Sequence, residues 1–390
     1  MFKVVCERLD DFGRGICHVS GKVLFVPDLL PLEEASVKIV FDNKKYMVGE
    51  VVKYLKKSSI RKNPRCPYEK CGCVLMNMDY GDSLEYKKSR VISLFKKFAS
   101  IDLSDIEIVF DLNNYGYRNK ASLKVRDGKI GYYKNGTNDL IEIDRCLILS
   151  DRINEIIGIL KKENLNDVSS IVIKDMDEVL IDIEGSMDIS NLKEYASSIF
   201  MDGRCVYGKN RVEVSLMGYK FMVSRDSFFQ VNNVITEKLY SKVLEYAGSG
   251  NKLIDLYCGT GTIGIILSKN YKEVIGIEIN KSSVACSREN KKLNNIKNIA
   301  FKCGDANKLC KGESADTIVV DPARAGLSNL GIKNILELSA KKIVYVSCNP
   351  VTLARDLNKL SSDYKLKDIC LFDMFPWTYH VETVVVLEKK

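Results

Sequence analysis

No apolar run in the chain approaches transmembrane length, and the first residues, Met1-Phe2-Lys3-Val4-Val5-Cys6-Glu7-Arg8, lack the apolar stretch of a secretion signal. A membrane partner is therefore not expected, and a cytoplasmic location is. There is no internal repeat and no low-complexity segment. The thirteen cysteines are odd in number and unevenly spaced, so they do not form a disulfide framework. In a reducing compartment a few would ligate metal or catalyse and the rest would pack. With 46% apolar and 28% charged residues, the 390-residue chain has an ordinary globular composition and room for two or three domains.

What is present is a localised basic surplus. The net charge is +8, and residues 53–98 alone hold twelve Lys or Arg against four Asp or Glu. Such a stretch can neutralise phosphates, although a solvated Lys-rich surface gives the same count.

The chemistry centres on Ile343-Val344-Tyr345-Val346-Ser347-Cys348-Asn349-Pro350. The first four residues read as a short buried strand, and Asn-Pro ends it. A thiol is thereby delivered to the carboxyl end of a strand, where open α/β sheets bind ligands. A thiolate is the best nucleophile among ordinary side chains; a buried packing cysteine is the alternative.

From the N-terminus, β-rich segments at 22–27, 35–41 and 47–54 suggest a small β-barrel. Cys66, Cys71 and Cys73 follow a basic linker, and Cys146 lies beyond a further β-rich segment. Four thiolates suit an iron–sulfur cluster or zinc; loop thiols are the alternative. Residues 82–98 read as an amphipathic helix with Leu84, Val91, Leu94, Phe95 and Phe98 on one face and Lys87, Lys88, Arg90, Lys96 and Lys97 on others. Residues 106–216 alternate strand-like runs with a helix at 151–163. Tyr117-Arg118-Asn119-Lys120 reads as a polar, basic loop.

A helix at 232–246 leads into the strand and glycine turn Leu253-Ile254-Asp255-Leu256-Tyr257-Cys258-Gly259-Thr260-Gly261-Thr262-Ile263-Gly264. These glycines permit close approach of a ligand to the backbone. The next strands are expected to end at Glu278, at Asp305 and at Asp321-Pro322-Ala323-Arg324. An acid at Glu278 suits ribose hydroxyls, so a nicotinamide enzyme is also open at this point.

In this order the motifs resemble an S-adenosylmethionine-dependent methyltransferase, and more narrowly the RNA (uracil-carbon-5) methyltransferases. Ser227-Phe228-Phe229-Gln230-Val231-Asn232, Thr352-Leu353-Ala354-Arg355-Asp356-Leu357, Asp373-Met374-Phe375-Pro376 and Thr378-Tyr379-His380-Val381-Glu382-Thr383 add to the likeness. Residues 1–55, with Asp11-Phe12-Gly13-Arg14-Gly15, resemble a TRAM domain, an RNA-binding barrel.

The resemblance implies an α/β fold. A Rossmann-like methyltransferase domain would occupy 223–390, a TRAM/OB-like β-barrel 1–57, and an α+β domain with the cysteine cluster 58–222. It implies Cys348 as nucleophile, Glu382 as general base, and Asp321 beside methyl donor and substrate. Arg324 would meet a phosphate or base. Gln230, Tyr257, Gly259, Gly261, Thr262, Glu278, Asp305 and Asp321 would hold S-adenosyl-L-methionine. It further implies a [4Fe-4S] cluster on Cys66, Cys71, Cys73 and Cys146; zinc or no metal remain open because the Cys-x4-Cys-x-Cys motif is shortened.

The expected reaction is methylation of carbon 5 of a uridine through a covalent cysteine–uracil adduct. The expected substrate is 23S ribosomal RNA, with the T-loop of transfer RNA as the alternative, and a monomer is expected. Cytosine methylation is disfavoured because no second cysteine stands in Asp321-Pro322-Ala323-Arg324. A non-catalytic RNA-binding assembly factor is the rival of another class.

Overall fold

The computed structural model describes residues 1–68, 71–310 and 312–390. The chain forms two compact units, one of Met1–Arg90 with Tyr133–Ile141 and Phe375–His380, the other of Val91–Tyr132 with Glu142–Met374 and Val381–Lys390.

The first unit carries a curled six-stranded sheet, a half-barrel. Its order is Phe2–Val5, Glu34–Asp42, Tyr46–Lys56, Lys22–Val26, Gly15–Val19 and Arg8–Leu9. Three register shifts between Glu34–Asp42 and Tyr46–Lys56 bend that long pair, as bulges do. Buried Glu33 ties the following linker down: it accepts Arg61 Nε at 2.5 Å, Arg61 Nη2 at 2.7 Å and the Leu30 N–H at 2.8 Å. In the helix Tyr80–Ala99, Leu84, Val91, Leu94 and Phe95 are buried, as their spacing predicts. Lys87 departs from its expected solvated face: it is fully buried and its Nζ donates to Phe375 O at 3.1 Å.

In the second unit, strand Val168–Asp175 pairs antiparallel with Lys120–Arg126 and with Val179–Gly185. The helix Asp151–Leu160 is capped by Ser150, whose side chain accepts the Ile153 N–H, satisfying one of the helix's orphan donors.

The larger sheet has eight strands, in the order Ile299–Cys303, Tyr271–Glu278, Gly250–Leu256, Thr317–Val320, Lys342–Ser347, Glu382–Lys389, Tyr364–Phe372 and Glu107–Val109. The first five are parallel, and Glu382–Lys389 runs antiparallel to both its neighbours. Leu253–Leu256, Thr317–Val320 and Ile343–Val346 are buried throughout. Strands covered on both faces read as continuous apolar runs, so the sequence pattern and the burial agree. This is the expected α/β class: a Rossmann-like sheet that follows, in chain order, an N-terminal curled sheet and an α+β segment. One strand is shifted. The chain leaves the sheet at Cys303, Gly304 turns at φ +153°, and Asp305 caps the short helix Ala306–Leu309 instead of ending a strand.

Candidate active site

The strand order reverses between Gly250–Leu256 and Thr317–Val320, which leaves a crevice at the carboxyl ends of the parallel strands. Cys348 follows Lys342–Ser347 directly. Asn349 then caps the helix Pro350–Leu360 by accepting the Val351 N–H at 3.2 Å. Pro350 takes the first helical position, where no N–H is needed.

Glu382 opens the antiparallel strand, whose register pairs Val346 with Val384 and Ser347 with Thr383. Continued by one residue, that register sets Cys348 opposite Glu382. Asp321 follows Val320, which pairs with Tyr345 in the adjacent parallel strand. Strand pairing thus brings a thiol and two carboxyls to the same end of three adjacent strands.

Glu382 is buried, and Asp321 and Cys348 are half-buried. Burial lifts Asp321 to about 7. It lifts Glu382 to about 8, with the Asp321 charge adding to the shift. Burial also pushes the Cys348 thiol up to about 11; Glu382 and Asp321 push the same way and Arg324 opposes them. Desolvation disfavours each charged form, and like charges add to it.

A network behind the site holds the Asp321–Leu327 loop. Fully buried Asp356 accepts the Leu327 N–H at 2.7 Å and the Tyr345 hydroxyl at 2.9 Å through Oδ2, and Arg355 Nε at 2.8 Å through Oδ1. Arg355 also donates to Ala325 O at 3.0 Å and Leu327 O at 3.1 Å. Asn349 Nδ2 donates to Arg324 O at 3.1 Å. Gly326 sits at φ +72°, and a Cβ there would lie 2.6 Å from Asp356 Oδ2.

On the other side of the crevice, Tyr257 lies at φ +63°, a strained value for a side-chain-bearing residue. Gly261 turns into the next helix at φ +81°, where a Cβ would meet the Phe301 ring at 2.5 Å. Glu278 Oε2 accepts the Gly259 N–H at 3.1 Å and Oε1 the Asn280 N–H at 2.7 Å, which ties the glycine loop to the second strand. Thr262 is buried and its hydroxyl lies 3.1 Å from that of Thr260. Asp305 Oδ1 accepts both the backbone and side-chain N–H of Asn307 at 2.9 Å.

The buried acceptors without a hydrogen-bond partner among the described residues include Gln230 Oε1, Asn307 Oδ1 and Asp255 Oδ1. A Cβ at Gly331 would lie 3.2 Å from Asn307 Oδ1 and 3.4 Å from the Tyr257 hydroxyl. This acceptor-rich set fits a cationic nucleoside with ribose hydroxyls and an amino group, which S-adenosylmethionine is. Orphaned buried acceptors are costly unless a ligand donates to them. Sequence reading missed Asn307, because nothing local marks an amide in the first turn of a helix capped by Asp305. It also missed Asp255, lifted by burial to about 8, whose Oδ2 accepts the Gly264 N–H at 2.9 Å.

The expected metal centre is corrected. Among the described residues no three His, Cys, Asp or Glu side chains are grouped so as to hold a metal ion. A metal-bound thiolate lies about 2.3 Å from its ion, so its ligands must converge. Cys66, Cys71, Cys73 and Cys146 do not meet that condition, and neither the [4Fe-4S] cluster nor zinc is supported. Cys66 makes a local contact instead, its sulfur accepting the Tyr68 N–H at 3.4 Å. Glu69 and Lys70 of that stretch lie outside the described residues. No described helix is long and apolar enough to cross a membrane.

The sequence profile of the tRNA (Uracil-5-)-methyltransferase family matches residues 193–315 and 310–390. An uncharacterized RNA methyltransferase of Clostridium acetobutylicum is 34% identical, the alignment covering 100% of this chain and 97% of that protein. One from Staphylococcus aureus is 32% identical, over 97% of this chain and 96% of its own. The crystal structure of Pyrococcus abyssi tRNA (uracil-54, C5)-methyltransferase in complex with S-adenosyl-L-homocysteine matches with a TM-score of 0.83 and 27% identity. That match covers 99% of this chain and 100% of the other.

Proposed function

The chain belongs to the tRNA (uracil-5-)-methyltransferase family and is an S-adenosylmethionine-dependent RNA uracil-5-methyltransferase; from that premise we propose that it methylates a uridine of transfer RNA with Cys348 as nucleophile and Glu382 as base. The match to the Pyrococcus abyssi transfer-RNA enzyme across 99% of the chain supports transfer RNA over 23S ribosomal RNA. The register that sets Cys348 opposite Glu382 carries the catalytic reading.

Carbon 5 of uracil is a poor nucleophile. Cys348, once its proton has passed to a neighbouring carboxylate, forms a bond from sulfur to carbon 6. The carbon 5–carbon 6 π pair moves to the carbonyl as an enolate, and carbon 5 then accepts a methyl. S-adenosylmethionine, when bound, would supply that methyl from its sulfonium, the broken sulfur–methyl pair staying on sulfur as the neutral thioether of S-adenosylhomocysteine. Glu382 removes the carbon 5 proton; the released pair restores the double bond and expels the Cys348 thiolate. Asp321 shapes the charge at both groups. Gln230, Tyr257, Gly259, Gly261, Thr262, Glu278 and Asp305, with Asn307, would hold the methyl donor. Arg324 would meet a phosphate or base, and the half-barrel, read as a TRAM domain, would grip the RNA. A target inside folded RNA must first be everted from its stack.

The test is to map 5-methyluridine in transfer and ribosomal RNA from cells with and without the gene. Loss from the transfer-RNA T-loop is expected. Loss from 23S ribosomal RNA alone would reassign the substrate and leave the chemistry intact.

A further inference from the structure

Among the buried cations that the mechanism leaves unused is Lys174. Lys174, at the end of strand Val168–Asp175, is only 3% exposed. Its ammonium donates to three main-chain carbonyls, Ser224 O at 3.0 Å, Arg225 O at 2.7 Å and Ser227 O at 2.9 Å. No carboxylate is among these partners. Burying an ammonium with no carboxylate bonded to it is expensive, and burial with the nearby Lys120 charge pulls Lys174 down to about 8 against the opposing charges of Asp226 and Asp182. A methionine would fill the same space at less cost, so the three carbonyls are what the charge serves.

Those carbonyls belong to the loop that leads into Gln230. Its other side is held from the neighbouring strand. Asn119 donates its backbone N–H to Val231 O at 2.9 Å, and its amide to Gln230 O at 3.1 Å and Asn233 Oδ1 at 2.7 Å. The two grips are joined: Asp175, next to Lys174, donates its N–H to Asn119 O at 2.7 Å. The Gln230 main chain is therefore fixed on both flanks while its Oε1 has no partner among the described residues.

We propose that Lys174 and Asn119 form a clamp of positioning residues that aims Gln230 at the methyl donor and so sets the affinity for it. This rests on the function proposed above. The clamp aligns the orphaned acceptor before any ligand arrives, and pre-organisation of this kind strengthens binding without adding a contact.

Calorimetric titration of the full-length chain with S-adenosylhomocysteine tests it. Lys174→Met is expected to weaken binding about tenfold or more, the scale of a lost hydrogen bond to a charged group. The KM for the methyl donor should rise in parallel, with kcat at saturation within about twofold, which marks lost uniform binding. Lys174→Gln, which keeps two donors, should fall between wild type and Lys174→Met. If Lys174→Met fails to fold, Asn119→Ser strands no charge and carries the same comparison. Wild-type amide exchange across residues 224–231 should be slow, and fast exchange there would overturn the clamp. Variants that bind as tightly as a binding-competent wild type overturn the clamp alone. A wild type that does not bind overturns the functional reading and the clamp together.

Discussion

At the residue scale the site is defined by groups held in their uncharged forms. Cys348 at about 11 and Glu382 at about 8 are both largely protonated at neutral pH in the ligand-free chain. The proposed chemistry needs a thiolate and a carboxylate. The ratio kcat/KM, which reports the free enzyme, should therefore rise between pH 6.5 and 9, steeply through about 8. A profile that is flat, or that falls, across this range would contradict the assignment. The identity of these two residues was readable in the chain, since Cys348 follows an apolar run and Glu382 precedes another. Their juxtaposition was not, because it depends on an antiparallel register between strands 34 residues apart. Asn307 and Lys174 carried no signal for the same reason: their partners are set by packing, not by spacing.

At the scale of elements, the Asp321–Leu327 loop is held by the helix that follows Cys348. Asp356 takes three hydrogen bonds there, and Gly326 presses against it. Gly326→Ala should cost about 1–3 kcal/mol in urea unfolding, from positive φ and the clash together, and should lower activity with it. An alanine variant of wild-type stability would show that this backbone is not fixed. In the first unit, Glu33→Ala removes two of Arg61's hydrogen bonds and leaves the guanidinium only its Asp28 contacts, and should cost about 1–3 kcal/mol in urea unfolding. The parallel strands were readable because burial on both faces demands unbroken apolar residues. The short strands Phe2–Val5 and Arg8–Leu9 were not, since two to four residues give no period to detect. The cysteine cluster misled because three thiols close in sequence do not guarantee converging sulfurs.

At the scale of the whole molecule, buried carboxyls shape the response to pH. Asp255, Asp321 and Glu382 bind protons more tightly folded than unfolded. Their contribution is fully present below the unfolded values near 4 and is lost as pH rises through about 7 to 8. The melting temperature of the ligand-free chain should fall between pH 5 and 8, and a rise across that window would mean these acids ionise without penalty.

The central claim is the sulfur–carbon bond, and the most direct measurement is a denaturing gel of the Glu382→Gln variant incubated with substrate RNA and S-adenosylmethionine. The variant can add Cys348 to carbon 6 but cannot remove the carbon 5 proton, so a covalent protein–RNA band should accumulate, and Cys348→Ala should give none. A band that persists without Cys348, or no band from Glu382→Gln on an RNA that wild type methylates, would contradict the account.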